Sequence, residues 1–248
     1  MRAWLNLRFT VPERRRAFRA GLERLGYIVN EGFPDCPTAQ DVLVTWNRIG
    51  DVHRIAGIFE KAGARVLVAE NATWGNEFAG RRWYTITRSY HNLAGPEYFD
   101  VGDADRWRRL NVILRPFRRD QERYPETLIL PQRGIGPERI KMPSDWIQRV
   151  RAEYRGARVR VHPGTGPCVE LERDLADCGQ VLTWASGAAA RALLWGVPVR
   201  SFLPGWIAEQ DNTEEGRLAM FERLAWAQWD LSEIERGVPF ERLLQGAK

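Results

Sequence analysis

Three short stretches of this chain carry residue types that could do chemistry. The first runs Val181-Leu182-Thr183-Trp184-Ala185-Ser186-Gly187 and continues through Ala188 to Trp195. Its apolar start reads as a buried parallel strand and Ala185-Ser186-Gly187 as a tight turn. Residues 188–195 then read as a helix stopped by Gly196 and Pro198, with the next strand beginning at Val197. A helix entered directly from a strand leaves backbone N–H groups unpaired at a positively polarised end, which attracts phosphate. Ser186 also reads as an ordinary N-cap serine. The second stretch, Val159-Arg160-Val161-His162-Pro163-Gly164, is a strand running into a turn. It puts His162 at the edge where open parallel sheets bind ligands, although a plain surface turn would look the same. The third, Gln132-Arg133-Gly134-Ile135-Gly136, follows a strand at 127–130. Its N–H groups could wrap a phosphate while Arg133 adds charge. It is neither a Walker loop nor Gly-x-Gly-x-x-Gly, and it also reads as a simple loop ahead of a helix at Ser144.

The first two stretches together resemble the sugar-nucleotide-binding half of two-Rossmann glycosyltransferases, the GT-B fold. The bacterial capsule polysaccharide transferases are the most similar. Their pattern of Thr-x-x-Ser, then Ala-Leu-Leu-x-Gly-x-Pro-Val, reads here as Thr183, Ser186 and Ala192-Leu193-Leu194-Trp195-Gly196-Val197-Pro198-Val199. The family's upstream His-Pro corresponds to His162-Pro163. The resemblance implies that His162, Pro163, Thr183, Ser186 and Gly187 hold a nucleotide-sugar donor, and the loop chemistry of the third stretch adds Arg133 and Gly134 as donor contacts. It also implies a co-substrate rather than a bound cofactor, and no metal. Asp103-Ala104-Asp105 is a formal Asp-x-Asp but lies in a polar stretch, and no two histidines sit at ligand spacing.

Transfer to an acceptor hydroxyl calls for a base beside that hydroxyl. Glu70-Asn71-Ala72-Thr73-Trp74-Gly75 follows the last firm strand of the first half. The capsule transferases end a similar strand in Glu-Asp before Gly; Glu70 matches the first acid, and Asn71 replaces the second. Asp51, after Asn47-Arg48-Ile49-Gly50, and His91, in Ser89-Tyr90-His91-Asn92, are the other candidates. Each of the three also reads as a cap or a polar surface residue.

Around these stretches the sequence alternates strands and helices. The first run is strand 3–9, helix 12–25, strand 27–30, strand 41–46, helix 51–62, strand 65–70 and a candidate strand 83–88. It restarts with strand 127–130, helix 144–155, strand 158–161, helix 169–177 and strand 180–184. Alternation of this kind predicts parallel sheets with helices on both faces. Its restart predicts an α/β chain of two Rossmann-like domains, GT-B-like, with a cleft between them: an acceptor-side domain over 1–125 and a donor domain over 126–248. Residues 214–245 read as terminal helices, of the kind that in GT-B enzymes pack back across the domain junction.

The chain has 248 residues and a formal charge of +5, so a sizeable core and a polyanionic partner are both permitted. No apolar run is long enough to span a membrane. Met1-Arg2-Ala3-Trp4-Leu5 begins no signal-peptide core, and the three cysteines, Cys36, Cys168 and Cys178, fit no metal spacing. These features predict a cytoplasmic chain. Arg14, Arg15, Arg106, Arg108 and Arg109, with Trp107 interleaved, predict a nucleic-acid contact surface, or else solvated helix faces.

The reading from sequence is a nucleotide-sugar-dependent glycosyltransferase. Its leaving-group charge would be stabilised at Ser186-Gly187 with His162 and Arg133. The acceptor reading leans to hydroxymethylated pyrimidines in viral DNA, which must be flipped out and whose gap aromatics with arginine can fill. A polysaccharide or lipopolysaccharide acceptor is the alternative that the motif resemblance favours. A GT-B-fold sugar-nucleotide epimerase and a non-catalytic nucleic-acid-binding protein also remain open.

Overall fold

The computed structural model describes residues 1–7, 11–90, 102–134, 140–161 and 170–245. The chain divides into two compact units: residues 1–103 with 223–248, and residues 104–222.

The first unit opens with β1 (Arg2–Asn6), α1 (Pro12–Arg24), β2 (Ile28–Glu31), β3 (Val42–Trp46), α2 (Asp51–Lys61), β4 (Arg65–Asn71), β5 (Glu77–Phe78) and β6 (Arg81–Arg88). The second holds α3 (Asp105–Arg108), β7 (Glu126–Leu130), α4 (Trp146–Glu153), β8 (Arg158–Val159), α5 (Leu171–Asp174), β9 (Cys178–Thr183), α6 (Gly187–Leu194), β10 (Val199–Ser201) and most of α7 (Glu214–Ala225). The chain then returns to the first unit with β11 (Gln228–Asp230), α8 (Leu231–Glu235) and α9 (Val238–Gln245).

The sheet of the first unit runs β2-β1-β3-β4-β6-β11, with β5 hairpinned onto β6. The four strands from β2 to β4 are parallel, whereas β6 pairs antiparallel with β4, and β11 with β6. Every residue of β3 is buried, as a Val- and Leu-rich strand covered on both faces must be. One face meets Phe18 and Leu22 of α1 with Ile234 and Phe240 from the C-terminal helices. The other packs Leu43, Val66 and Val68 on Ala56 and Phe59 of α2. Pro12 opens α1 where its missing N–H is harmless. Gly21 lets the C-terminal segment approach, because a Cβ there would lie 2.0 Å from the Ile234 carbonyl oxygen.

The second unit has a wholly parallel four-stranded sheet in the order β10-β9-β7-β8. Counted from its own first strand this order is 2-1-3-4, the same as β2-β1-β3-β4 in the first unit. Each unit therefore changes winding direction once, between β1 and β3 and between β7 and β9, and ligands of such sheets bind at the carboxyl edge there.

Several expectations from sequence are corrected. The division falls at 103/104 rather than 125/126. The stretch 104–125 belongs with the second unit because Trp107 stacks on Phe221 and because the Arg115 and Arg118 amides donate to the carbonyls of Leu194 and Gly196. The C-terminal residues are not helical throughout, since β11 extends the first sheet. That sheet is mixed rather than parallel. No helix among the described residues is long and apolar enough to cross a membrane.

Candidate functional site

In the second unit the site grows from the ends of β7 and β9. Thr183, fully buried, donates its hydroxyl to the Leu130 carbonyl at 2.8 Å and accepts the Ser186 N–H at 2.9 Å. Both roles of the hydroxyl are used within the protein. Thr183 therefore ties two strand ends and shapes the turn instead of facing a donor, which corrects the expectation of a direct contact. Ser186 is the extended N-cap of α6, and its side chain does not cap the helix. The Ala189 N–H turns back onto the Ser186 carbonyl at 2.9 Å, which leaves the Gly187 and Ala188 N–H groups as the donors of the first turn. The alanine-rich helix buries Ala189, Ala190 and Ala192, small side chains that let it lie close against the sheet.

Across β7 the same edge opens into a cavity of about 740 Å³, lined by Arg133, Gly134, Lys141, Ser144, Asp145 and Val159, among others. Its wall is fixed by two side-chain bonds. The Met142 N–H donates to Gln132 Oε1 at 3.0 Å, and Trp184 Nε1–H donates to the Ile140 carbonyl at 2.9 Å. Arg133 and Gly134 are brought into this cavity, whereas Thr183, Ser186 and Gly187 do not line it. Val161 does, but His162 and Pro163 lie outside the described residues. Lys141 was not singled out from sequence, because a lone lysine in a loop has no spacing to mark it.

In the first unit the three candidate bases separate. His91 lies outside the described residues. Asp51 is the first residue of α2, its side chain 91 % exposed and 3.8 Å from Arg54. That is the usual setting of an acid offsetting a helix dipole. Glu70 is different. It sits at the carboxyl end of β4, half-buried and opposite Thr85 of β6. It has no ion-pair partner among the described residues, and burial pushes its carboxyl up to about 8. Thr85 donates to Gln228 Oε1 at 3.0 Å, and the Thr73 N–H donates to the same oxygen at 2.9 Å. Glu70, Thr85 and Gln228 thus form one row across β4, β6 and β11. Gln228 was missed from sequence because its strand was read as helix.

Nearby Arg48 is buried. It donates to both carboxylate oxygens of Glu60 at 2.6 Å and stacks 4.1 Å from the centre of Tyr90. It holds the loop after β3.

The basic clusters also change meaning. Arg14 is 3 % exposed and lies 3.9 Å over the Trp46 ring, a cation–π contact of the core. Trp107 is likewise 3 % exposed, with its ring centre 4.7 Å from that of Phe221. Neither is presented to a nucleic acid, so both calls are corrected. Arg15 pairs with Glu31, and Arg108 lies 3.5 Å from both Asp105 and Glu222. Arg106 is half-buried and Arg109 exposed. No group of three or more His, Cys, Asp or Glu that could hold a metal occurs among the described residues.

Removing one donor should report directly on the α6 terminus. Gly187→Pro deletes its N–H while leaving a residue favoured at the first helical position, and the extended Ser186 before it suits a following proline. The variant should fold normally and bind a nucleoside diphosphate about tenfold more weakly, as loss of one charge-assisted hydrogen bond implies. Calorimetric titration beside a thermal melt checks both halves.

No protein-family model and no curated protein sequence matches this chain. Among solved structures it is similar to the β-Kdo 2,7-transferase of Thermosulfurimonas dismutans KpsC. That match has 14 % identity and a TM-score of 0.53, over 97 % of this chain and 99 % of that one. The β-Kdo 2,4-transferase of the same KpsC gives 15 % identity and a TM-score of 0.56, over 92 % and 90 %. At this identity the likeness is one of fold, and it extends through both units.

Proposed function

We infer that the chain is a glycosyltransferase whose second unit binds a nucleotide-activated sugar and whose first unit binds a carbohydrate acceptor. The observation that carries this reading is that one chain holds both of two features, one in each unit. One is a phosphate-ready helix terminus at the β7/β9 switch. The other is a half-buried carboxyl with no ion-pair partner among the described residues, Glu70, near the carboxyl end of β4 in the other sheet. Similarity of fold to two Kdo transferases supports it. In the step, an acceptor hydroxyl oxygen bonds to the anomeric carbon. The bond from that carbon to the phosphate oxygen breaks with its electron pair, and the hydroxyl proton passes to the Glu70 carboxylate. The α6 N–H groups, with Arg133 and Lys141, are the donors available to the leaving phosphate. His162 retains the donor role that the family resemblance implies.

A carbohydrate acceptor is favoured over DNA for two reasons. The structural neighbours are β-Kdo 2,7- and 2,4-transferases. In addition, Arg14 and Trp107, two of the residues on which the DNA reading rested, are core residues. Incubation with a panel of nucleotide sugars and oligosaccharides should release free nucleotide only when an acceptor is present. Absence of release with every pair would refute the reading. Duplex DNA carrying hydroxymethylcytosine should yield no glycosylated nucleoside by mass analysis and only weak, steeply salt-sensitive binding. A glycosylated base would restore the DNA acceptor.

A further inference from the structure

A second cavity, of about 450 Å³, lies wholly within the first unit and is lined by Arg81, Arg82, Asp230, Leu231, Ser232 and Arg236. Three arginines and one aspartate thus line it. Arg81 donates to Asp230 at 2.9 Å, which occupies one of its five N–H donors. Asp230 is further committed, accepting the Glu233 N–H at 2.8 Å in the capping box of α8. Arg82 reaches outward to Glu77 at 3.2 Å and Glu13 at 3.4 Å. Arg236 is exposed, and its side chain has no hydrogen-bond or ion-pair partner among the described residues. The Ser232 hydroxyl is exposed beside it. A concave surface with this excess of planar donors matches the geometry of a carboxylate or a phosphate.

Its position gives the excess a use. Arg81 and Thr85 point to the same face of β6, four residues apart, and Thr85 is opposite Glu70. The cavity therefore begins about 13 Å along the strand from the candidate base, at a rise of about 3.3 Å per residue. The hairpin carrying it is stiffened by Trp74, which stacks on Phe78 at 4.8 Å and meets Trp83 edge-on at 5.1 Å.

The geometry points to a binding site for an anionic group of the acceptor: Arg81, Arg82 and Arg236 hold a carboxylate or phosphate on a saccharide whose hydroxyl is presented to Glu70. This rests on the glycosyltransferase reading for its purpose, but its test does not depend on turnover. Full-length protein is titrated calorimetrically with trigalacturonate, with phosphorylated maltotriose and with unmodified maltotriose. At least one of the two anions should bind about tenfold or more tightly than maltotriose, and the tighter of them identifies the group recognised. Arg236→Gln, at an exposed position, should keep the fold and lose most of that preference, while its affinity for a nucleoside diphosphate stays unchanged. Equal binding of all three saccharides, no binding of any, or an Arg236→Gln variant indistinguishable from wild type would overturn the proposal. Anion binding without nucleotide release from any sugar nucleotide would support this site and count against the transferase reading.

Discussion

Glu70→Gln is expected to lower glycosyl transfer by about 10²–10⁴-fold, the usual contribution of a positioned general base. Affinity for nucleoside diphosphate should be unaffected, since Glu70 and the proposed donor terminus of α6 lie in different units. The pH dependence gives a second readout. Burial raises the Glu70 carboxyl from 4.5 to about 8, so the carboxylate that accepts the proton accumulates only as pH rises through that value. Wild-type transfer should climb along a limb centred near 8, and the glutamine variant should lack that limb. A stability readout follows from the same shift. Between 4.5 and about 8 the folded state holds a proton that the unfolded state has released, so folding weakens as pH rises across this window. The neutral amide carries no such cost. Glu70→Gln should match wild type below pH 4.5 and exceed it above pH 8, by on the order of a few kcal/mol at about 1.36 kcal/mol per pKa unit. Denaturant melts at the two extremes measure this. Equal stability at both, with an unchanged rate, would show that Glu70 is an ordinary solvated carboxylate.

Gly196→Ala should be the most damaging single-methyl change in the second unit. Gly196 has φ of +76°, where a side chain is strained, and a Cβ there would lie 2.1 Å from the Pro116 carbonyl oxygen and 2.9 Å from that of Arg115. Both obstacles are backbone, so they cannot swing aside. The 115–118 segment is in turn held by amides donating to Leu194 and Gly196, and by Arg217, which donates to the Arg115 carbonyl at 2.7 Å. Relieving the clash means lifting this segment off the end of α6. The cost is expected to be about 3–5 kcal/mol or loss of folding, in the exceptional range for point mutations. Ala192→Gly in the same helix should cost only about 1 kcal/mol in propensity, with a further loss from its buried methyl. Thermal melts of the two variants, with far-ultraviolet circular dichroism, separate the outcomes. A Gly196→Ala protein as stable as wild type would mean that the 115–118 segment packs elsewhere.

What the sequence determined by itself was local. Val42 to Trp46 and Arg65 to Glu70 were legible as strands because unbroken apolar runs have few other homes. The Ser186 turn was legible because small residues between a buried strand and an alanine-rich run permit little else. Pro12 and Gly196 marked element ends through backbone constraints that no distant partner alters. Glu70 could be placed at a strand end for the same reason.

The tertiary structure decided whatever depended on partners far along the chain. Residues 228–230 became a strand because β6 offered an open antiparallel edge, an influence no local window contains. The stretch 104–125 joined the second unit because Trp107 found Phe221 and the Arg115 and Arg118 amides found the end of α6. Arg14 looked solvated within a run of arginines, yet helix periodicity turned it onto Trp46. Thr183 looked like a ligand contact, but its hydroxyl is consumed by Leu130, 53 positions away. Glu70 came to share a row with Thr85 and Gln228 only because β6 paired with β4 and β11 with β6. Sequence periodicity sets which face a residue prefers; which residues it meets there depends on strand pairing, and β11 comes from the other end of the chain.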